Sequence, residues 1–123
     1  MNKSYRVLIV EDEKDICDLY AMHLTENGYQ VIKAYNGTEA LEKFNSTTFD
    51  IILLDIMLPD ISGLDILKKF KEQKSTAKIL ILTNLTADKT INDAYDLGAD
   101  GYLLKATLTR DSFMEEIVSY LED

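Results

Sequence analysis

The feature that most narrows the fold is an alternation repeated five times: a short apolar segment, then a longer stretch whose apolar residues recur at helical spacing. Arg6 to Val10, "RVLIV", is β-branched and almost wholly apolar, as a strand buried on both faces must be. Ile16, Leu19, Tyr20, His23 and Leu24 then fall at i, i+3, i+4, i+7, i+8, which predicts one inward helix face, and Asn27-Gly28 stops that helix. Tyr29 to Tyr35 mixes apolar and polar residues, as an edge strand does. Thr38 follows as a predicted N-cap, with Ala40, Leu41 and Phe44 inward. Residues 50–57 read as a third strand, and the helix after Gly63 buries Ile66, Leu67 and Phe70. Lys78 to Thr83 is the fourth strand, followed by a helix around Ile91, Ala94 and Tyr95 that ends near Gly98. Gly101 to Lys105 is the fifth strand, before a last helix capped by Thr109 that carries Phe113, Ile117, Tyr120 and Leu121.

Strands of this kind, each followed by a helix, predict an α/β fold: a doubly wound, five-stranded parallel sheet covered on both faces. No linker or low-complexity segment interrupts it, so residues 1–123 read as one domain, long enough to bury roughly two-thirds of its unfolded surface. Right-handed crossovers put every strand's C-terminal end on one edge, and ligands of such sheets bind outside that edge. The residues that end the strands are therefore the ones to question.

Most conspicuous is "IILLDIMLPDISG", Ile51 to Gly63, where a lone carboxylate, Asp55, interrupts an apolar run. A charge in a core costs several kcal/mol unless it is paired, hydrated or bound to metal. The first strand ends in Glu11-Asp12 with Glu13 next, the fourth at Thr83 and the fifth at Lys105. Singly, none is specific: acidic pairs suit solvated turns, aspartates suit strand ends, and terminal lysines are usually exposed. Together, three carboxylates in one crevice repel one another and raise each other's pKa, which a divalent cation relieves. Mg²⁺ suits the set, since it takes hard oxygen ligands and keeps waters that a phosphate can displace. With the Lys105 ammonium and the Thr83 hydroxyl added, the constellation reads as a pocket for a transferring phosphoryl group, Asp55 being the nucleophile.

At this point the chain resembles a known family, the receiver domains of two-component response regulators, of the chemotaxis-response-regulator type. The carriers are "VLIVEDE", "DIILLDIMLPDISGLDIL", "LILT" and "GADGYLLK", in the family's order and spacing over essentially the whole chain. The resemblance implies a flavodoxin-like sheet of strand order 2-1-3-4-5. It implies a phosphorelay function, in which Asp55 accepts a phosphoryl group from a sensor histidine kinase or a histidine phosphotransfer protein. Asp12 and Asp55 are implied as Mg²⁺ ligands through their side chains, Met57 through its backbone carbonyl and Glu11 through water. Thr83 and Lys105 would contact the phosphoryl oxygens, and Tyr102 would swing inward as Thr83 moves. Pro59 and Gly63 match the family's turn after the phosphorylation site: Pro59 ends the strand, and Gly63 allows a backbone shape other residues resist.

Two departures stand out. The family usually follows its lysine with proline, often in a cis peptide; here Ala106 stands there, and a cis bond before a non-proline residue costs about 2.5–4 kcal/mol, so a trans bond is expected. The loop from Lys105 to Phe113 is about one residue longer than usual. Asn84 replaces a small residue after Thr83, where it either narrows the approach to Asp55 or lends a hydrogen bond. Met57 and Leu85 flank the expected path of attacking water; both are apolar and cannot orient it, which predicts slow self-dephosphorylation.

Competing functions are weaker. A flavin or dinucleotide site wants a Gly- or hydroxyl-rich loop after the first strand, where this chain has "EDEKD". A phosphatase of the haloacid-dehalogenase type pairs its nucleophile with an Asp two residues on, where this chain has Met57. A pseudo-receiver that keeps the fold as a constitutive interaction module is argued against by Asp12, Asp55, Thr83 and Lys105, though Ala106 and Asn84 keep it open. The chain is thus read as a signalling domain, not an enzyme on outside substrates.

The single histidine, His23, rules out a histidine metal cluster and reads as packing. Cys17 lacks a CxxC partner or a basic neighbourhood, and one cysteine fits a reducing cytosol, so a cytoplasmic location is expected. Asp15, Asp18 and Met22 share the face opposite the core stripe, either solvated or docked by a kinase. A formal net charge of -9 argues against direct nucleic-acid binding, and no apolar run is long enough for a membrane span. The chain ends at Asp123, after the last helix, as either a complete regulator or a receiver cut at a domain boundary. If phosphorylation drives a dimer, the fourth helix, fifth strand and fifth helix form the family's usual surface for it. The kinase and the downstream protein are not named by the sequence.

Overall fold

The computed structural model describes residues 4–121. Its elements run β1 (Arg6–Val10), α1 (Lys14–Glu26), β2 (Gln30–Ala34), α2 (Gly37–Ser46), β3 (Ile51–Leu54), α3 (Gly63–Glu72), β4 (Lys78–Thr83), α4 (Asp88–Asp96), β5 (Gly101–Leu104), a 3₁₀ turn (Lys105–Thr107) and α5 (Arg110–Leu121). All strand pairs are parallel, in the order β2-β1-β3-β4-β5, which is the doubly wound arrangement expected. Strands β1, β3 and β4 are central and nearly solvent-free, as their continuous apolar runs require; β2 and β5 form the edges.

Alternate strand residues feed two apolar layers. Leu8, Val10, Ile52, Leu54, Ile79 and Ile81 face Ala40 of α2, Ile66, Leu67 and Phe70 of α3, and Ala94 of α4. Val7, Ile9, Ile51, Leu53, Leu80 and Leu82 face Cys17, Tyr20, Ala21 and Leu24 of α1 and Phe113 and Ile117 of α5. Helix α1 ends as expected, with Gly28 at φ +88° and the Tyr29 N–H donating to the Leu24 carbonyl at 3.1 Å.

Several local expectations fail. The third strand, expected to run to Met57, ends at Leu54, and Lys105, expected to end the fifth strand, begins the 3₁₀ turn instead. Leu19 is 47% exposed, because the core stripe of α1 is centred on Cys17, Tyr20, Ala21 and Leu24 and leaves Leu19 on its flank. Tyr95 is also 47% exposed; in α4 Ala94 alone is fully buried, so that helix presents a much narrower stripe. The cap of α2 is Asn36, whose side chain accepts from the Glu39 N–H at 2.8 Å, while Thr38 already lies inside the helix. Thr109 does cap α5, its hydroxyl accepting from the Ser112 N–H at 3.0 Å.

Candidate functional site

Register sets the site. Val10 pairs with Leu54 and Leu54 with Ile81, so the first residues beyond β1 and β3, Glu11 and Asp55, emerge abreast. The Asp55 N–H donates to the Val10 carbonyl at 3.1 Å, which holds the carboxylate at the sheet edge. Thr83 pairs with Leu104, which places Lys105 one residue beyond it. Glu11, Asp55 and Thr83 are buried, while Asp12 turns to solvent. Asp12, Glu13, Asp55, Met57, Leu58, Pro59, Thr83, Asn84 and Lys105 line one cleft of about 370 Å³. The strand-end residues singled out from the sequence are thus brought together, Glu11 from beneath and the others from the cleft wall.

The charge of Asp55 is tolerated because it is paired. One carboxylate oxygen accepts from the Lys105 ammonium at 2.7 Å and the other from the Met57 N–H at 3.2 Å. Lys105 also contacts Glu11, whose second oxygen accepts from the Glu13 N–H at 3.0 Å. Burial raises the Glu11 pKa above the usual carboxylate range, against the pull of Lys105; repulsion by Asp55 is the weakest contribution. Mutual repulsion is therefore a lesser effect here than a bare cluster of three carboxylates suggests. Burial by itself depresses the Lys105 pKa, but the Asp55 and Glu11 carboxylates outweigh it and hold the ammonium above its ordinary value. Ligand oxygens of Glu11, Asp12 and Asp55 lie within 4.8 Å of one another. Three hard oxygen donors at that separation, one of them open to water, fit a hydrated Mg²⁺ in character and number.

The loop from Asp55 to α3 is held from two sides. A Cβ on Gly63 would run into the backbone carbonyl of Asp55 and come within 2.6 Å of the Ile56 Cα. Gly63 also donates its N–H to the Ile56 carbonyl at 2.8 Å. Its φ is not positive; close approach, not an unusual backbone shape, is what demands glycine there. Asp60 accepts from the N–H groups of Gly37 (2.7 Å), Thr38 (2.9 Å) and Ile61 (2.8 Å) and from the Thr38 hydroxyl (2.7 Å). It thereby clasps the first turn of α2, and those donors, Gly37 foremost, hold its pKa well below the usual range. Nothing local in the chain marks Asp60 for this role, since the residues it clasps in α2 lie 22 and 23 positions away.

On the other side, the Tyr102 hydroxyl donates to the Leu85 carbonyl at 2.8 Å, tying β5 to the loop that follows Thr83. Asn84 settles between its two readings: its side-chain oxygen accepts from the Ala106 N–H at 2.8 Å, although it also lines the cleft. No described peptide bond is cis, and the segment after Lys105 coils into the 3₁₀ turn. Met57 is 63% exposed on the cleft, whereas Leu85 packs against the apolar layer beneath α3 and α4 and is not among the cleft residues.

The response regulator receiver domain family matches residues 7–117. The chain belongs to that family. This receiver domain is 41% identical over 101 residues to response regulator ArlR of Staphylococcus aureus, a match covering 81% of this chain and 45% of that protein. It therefore spans less than half the length of that relative. Among solved structures, a CheY-like response regulator receiver domain protein from Methanospirillum hungatei superposes with a TM-score of 0.92 at 29% identity, over 98% of this chain and 95% of that one. A two-component response regulator from Clostridium difficile gives 0.91 at 31% identity, over 96% of each chain. The order β2-β1-β3-β4-β5, which the resemblance implied, is thus the family's.

The remaining sequence candidates stay outside the cleft. His23 is buried, with its ring 6.2 Å from that of Phe113. Burial pushes the Cys17 thiol up to about 11, which leaves it unreactive. Asp18 pairs with Lys33 at 2.7 Å, and Met22 is 51% exposed. No described helix is long and apolar enough to cross a membrane.

Proposed function

We propose that the receiver domain is the phosphoacceptor of a two-component phosphorelay, taking a phosphoryl group on Asp55 from a histidine kinase or histidine phosphotransfer protein. The observation that carries this reading is the Lys105 ammonium, 2.7 Å from an Asp55 carboxylate that shares a cleft with Asp12 and Thr83. An Asp55 oxygen attacks phosphorus, an O–P bond forms, and the P–N bond of the phosphohistidine breaks with its electron pair leaving on the imidazole. Asp12 and Asp55 would hold Mg²⁺ with the Met57 carbonyl, Glu11 acting through water, and the ion would neutralise charge developing on the phosphoryl oxygens. Lys105, released from Asp55 as the new bond forms, pairs with a phosphoryl oxygen, and the Thr83 hydroxyl donates to another.

Thr83 drawn toward the phosphoryl group carries the loop before α4, and Tyr102 follows through its bond to Leu85. That motion is the signal. It is read by a downstream protein or by a second copy docking on the face of α4, β5 and α5. Residues 1–123 act as one cytoplasmic signalling domain that assists its own phosphorylation and dephosphorylation. The apolar Met57 in the cleft cannot orient attacking water, so the aspartyl phosphate is long-lived.

The test is intact mass after incubation with acetyl phosphate, with and without Mg²⁺, alongside Asp55→Asn. One added phosphoryl group that needs both Mg²⁺ and Asp55 is the expected result. No adduct from acetyl phosphate or from any histidine kinase tried would overturn the reading in favour of a constitutive interaction module.

A further inference from the structure

We infer that Asn84 is a positioning residue for Lys105, acting through the backbone N–H of Ala106. The inference rests on the reading of Lys105 as a phosphoryl contact. Asn84 directly follows Thr83, and Ala106 directly follows Lys105, so the 2.8 Å bond between them joins the residues adjoining both proposed phosphoryl contacts. Proline at 106 has no N–H and could not make it. With alanine there, the N–H belongs to the second residue of the 3₁₀ turn Lys105–Thr107 and has no carbonyl partner within that turn. The Asn84 amide oxygen supplies the partner from across the cleft, 22 residues away in the chain.

Lysine carries its charge on a flexible four-carbon stem, so its aim depends on where the stem is rooted. On one side the root of Lys105 is fixed by β5, in register with β4. On the other it is fixed by Asn84 and by the turn's own bonds, from the Thr107 hydroxyl to the Leu104 carbonyl (3.1 Å) and from the Leu108 N–H to the Lys105 carbonyl (3.3 Å). A side-chain bond thus ties the backbone next to Lys105 to a neighbouring loop. Because that loop begins at Thr83, its movement reaches the root of Lys105 directly.

Four variants test this: Asn84→Ala, Asn84→Leu, Ala106→Pro, and Asn84→Ala combined with Ala106→Pro. Leucine keeps the bulk of asparagine without the acceptor, and so separates anchoring from narrowing of the cleft. Amide hydrogen exchange at Ala106 reads the bond without any phosphorylation; protection is expected in the wild type, with exchange about tenfold faster in both single Asn84 variants. Phosphorylation by acetyl phosphate at saturating Mg²⁺ reads the consequence. The maximal rate should fall about three- to tenfold in Asn84→Ala and Asn84→Leu alike, with the half-saturating donor concentration unchanged. The double variant should be no slower than the slower single, since the bond can be lost only once.

An unprotected Ala106 amide in the wild type overturns the inference, as do losses that multiply in the double variant. Should Ala106→Pro not fold, the alanine and leucine variants decide alone. Wild-type phosphorylation with Asn84→Leu as fast as wild type overturns this inference only; a wild type that takes no phosphoryl group overturns the functional reading beneath it.

Discussion

Helices α3 and α4 lie on the same face of the sheet and follow the two strands that deliver Asp55 and Thr83, yet they are held very differently. Helix α3 buries Gly63, Ile66, Leu67 and Phe70, and Phe70 stacks on Phe44 with ring centroids 4.2 Å apart. Its entry loop is pressed against the Asp55 backbone by Gly63 and clasped to α2 by Asp60. Helix α4 fully buries only Ala94, lacks a side-chain N-cap bond, and is entered through exposed residues, Thr86 and Ala87 among them. The side bearing Asp55 is thus tightly held, and the side bearing Thr83 has few contacts to lose. The switch proposed above needs that division. In that proposal Asp55 must not drift, while the loop after Thr83 must shift for a few hydrogen bonds' worth of free energy.

The strongest blow to the rigid side is Gly63→Ala. The new methyl meets the backbone of Asp55 and Ile56, which cannot rotate away as a side chain would, so unfolding free energy should fall by about 3 kcal/mol. Urea denaturation measures it, and a loss under about 1 kcal/mol would mean that the loop is softer than its packing implies. Lys105→Met leaves the rigid frame in place and removes the charge that spans the two sides. Phosphorylation by acetyl phosphate at saturating Mg²⁺ should slow about a hundredfold. The backbone resonances of residues 55–63 should stay within a small shift of wild type; large movements there would show that Lys105 holds the rigid loop as well.

How much of this is legible in the sequence follows the same division. Ile51 to Leu54 and Lys78 to Thr83 announce buried parallel strands, and strand ends in a parallel sheet must share an edge. Asp12, Asp55, Thr83 and Lys105 can therefore be gathered from the order of strands and helices alone. Strand adjacency has no periodic signature, and the order comes only with the family resemblance. Leu19 is misplaced by periodicity because helical spacing gives the period of a stripe but not its centre or width. Asp60 reaches α2 and Asn84 reaches Ala106 across 22 residues, through short side chains that look like ordinary turn residues. Such cross-loop bonds follow from the finished topology, and the chain does not spell them locally.

Asp60→Asn sharpens the rigid side through pH. The folded pKa of Asp60 lies below its ordinary value of 3.8, so its stabilising contribution is complete above that pH and is lost as pH falls through the folded value. Wild type should be the more stable protein at neutral pH. The gap should narrow below about pH 4, because the asparagine has no proton to gain. Thermal melts of both proteins between pH 3 and pH 7 check this; a gap that widens on acidification would contradict the assigned sign.

The smallest effect belongs to the soft side. Tyr102→Phe removes one hydroxyl, whose bond to the Leu85 carbonyl spans 2.8 Å at a half-buried position. Net loss of such a bond is about 1 kcal/mol, and less where water can replace the lost partner. Global stability should therefore barely change, while amide exchange through residues 84–87 quickens because the loop has lost a tie. The phosphorylation rate of Asp55 should stay near wild type, since Tyr102 does not line the cleft. Global destabilisation as large as that from Gly63→Ala would erase the distinction between the two sides. Faster exchange confined to the loop would instead support the proposed switch, in which the Tyr102 bond is weak enough to be remade as Thr83 moves.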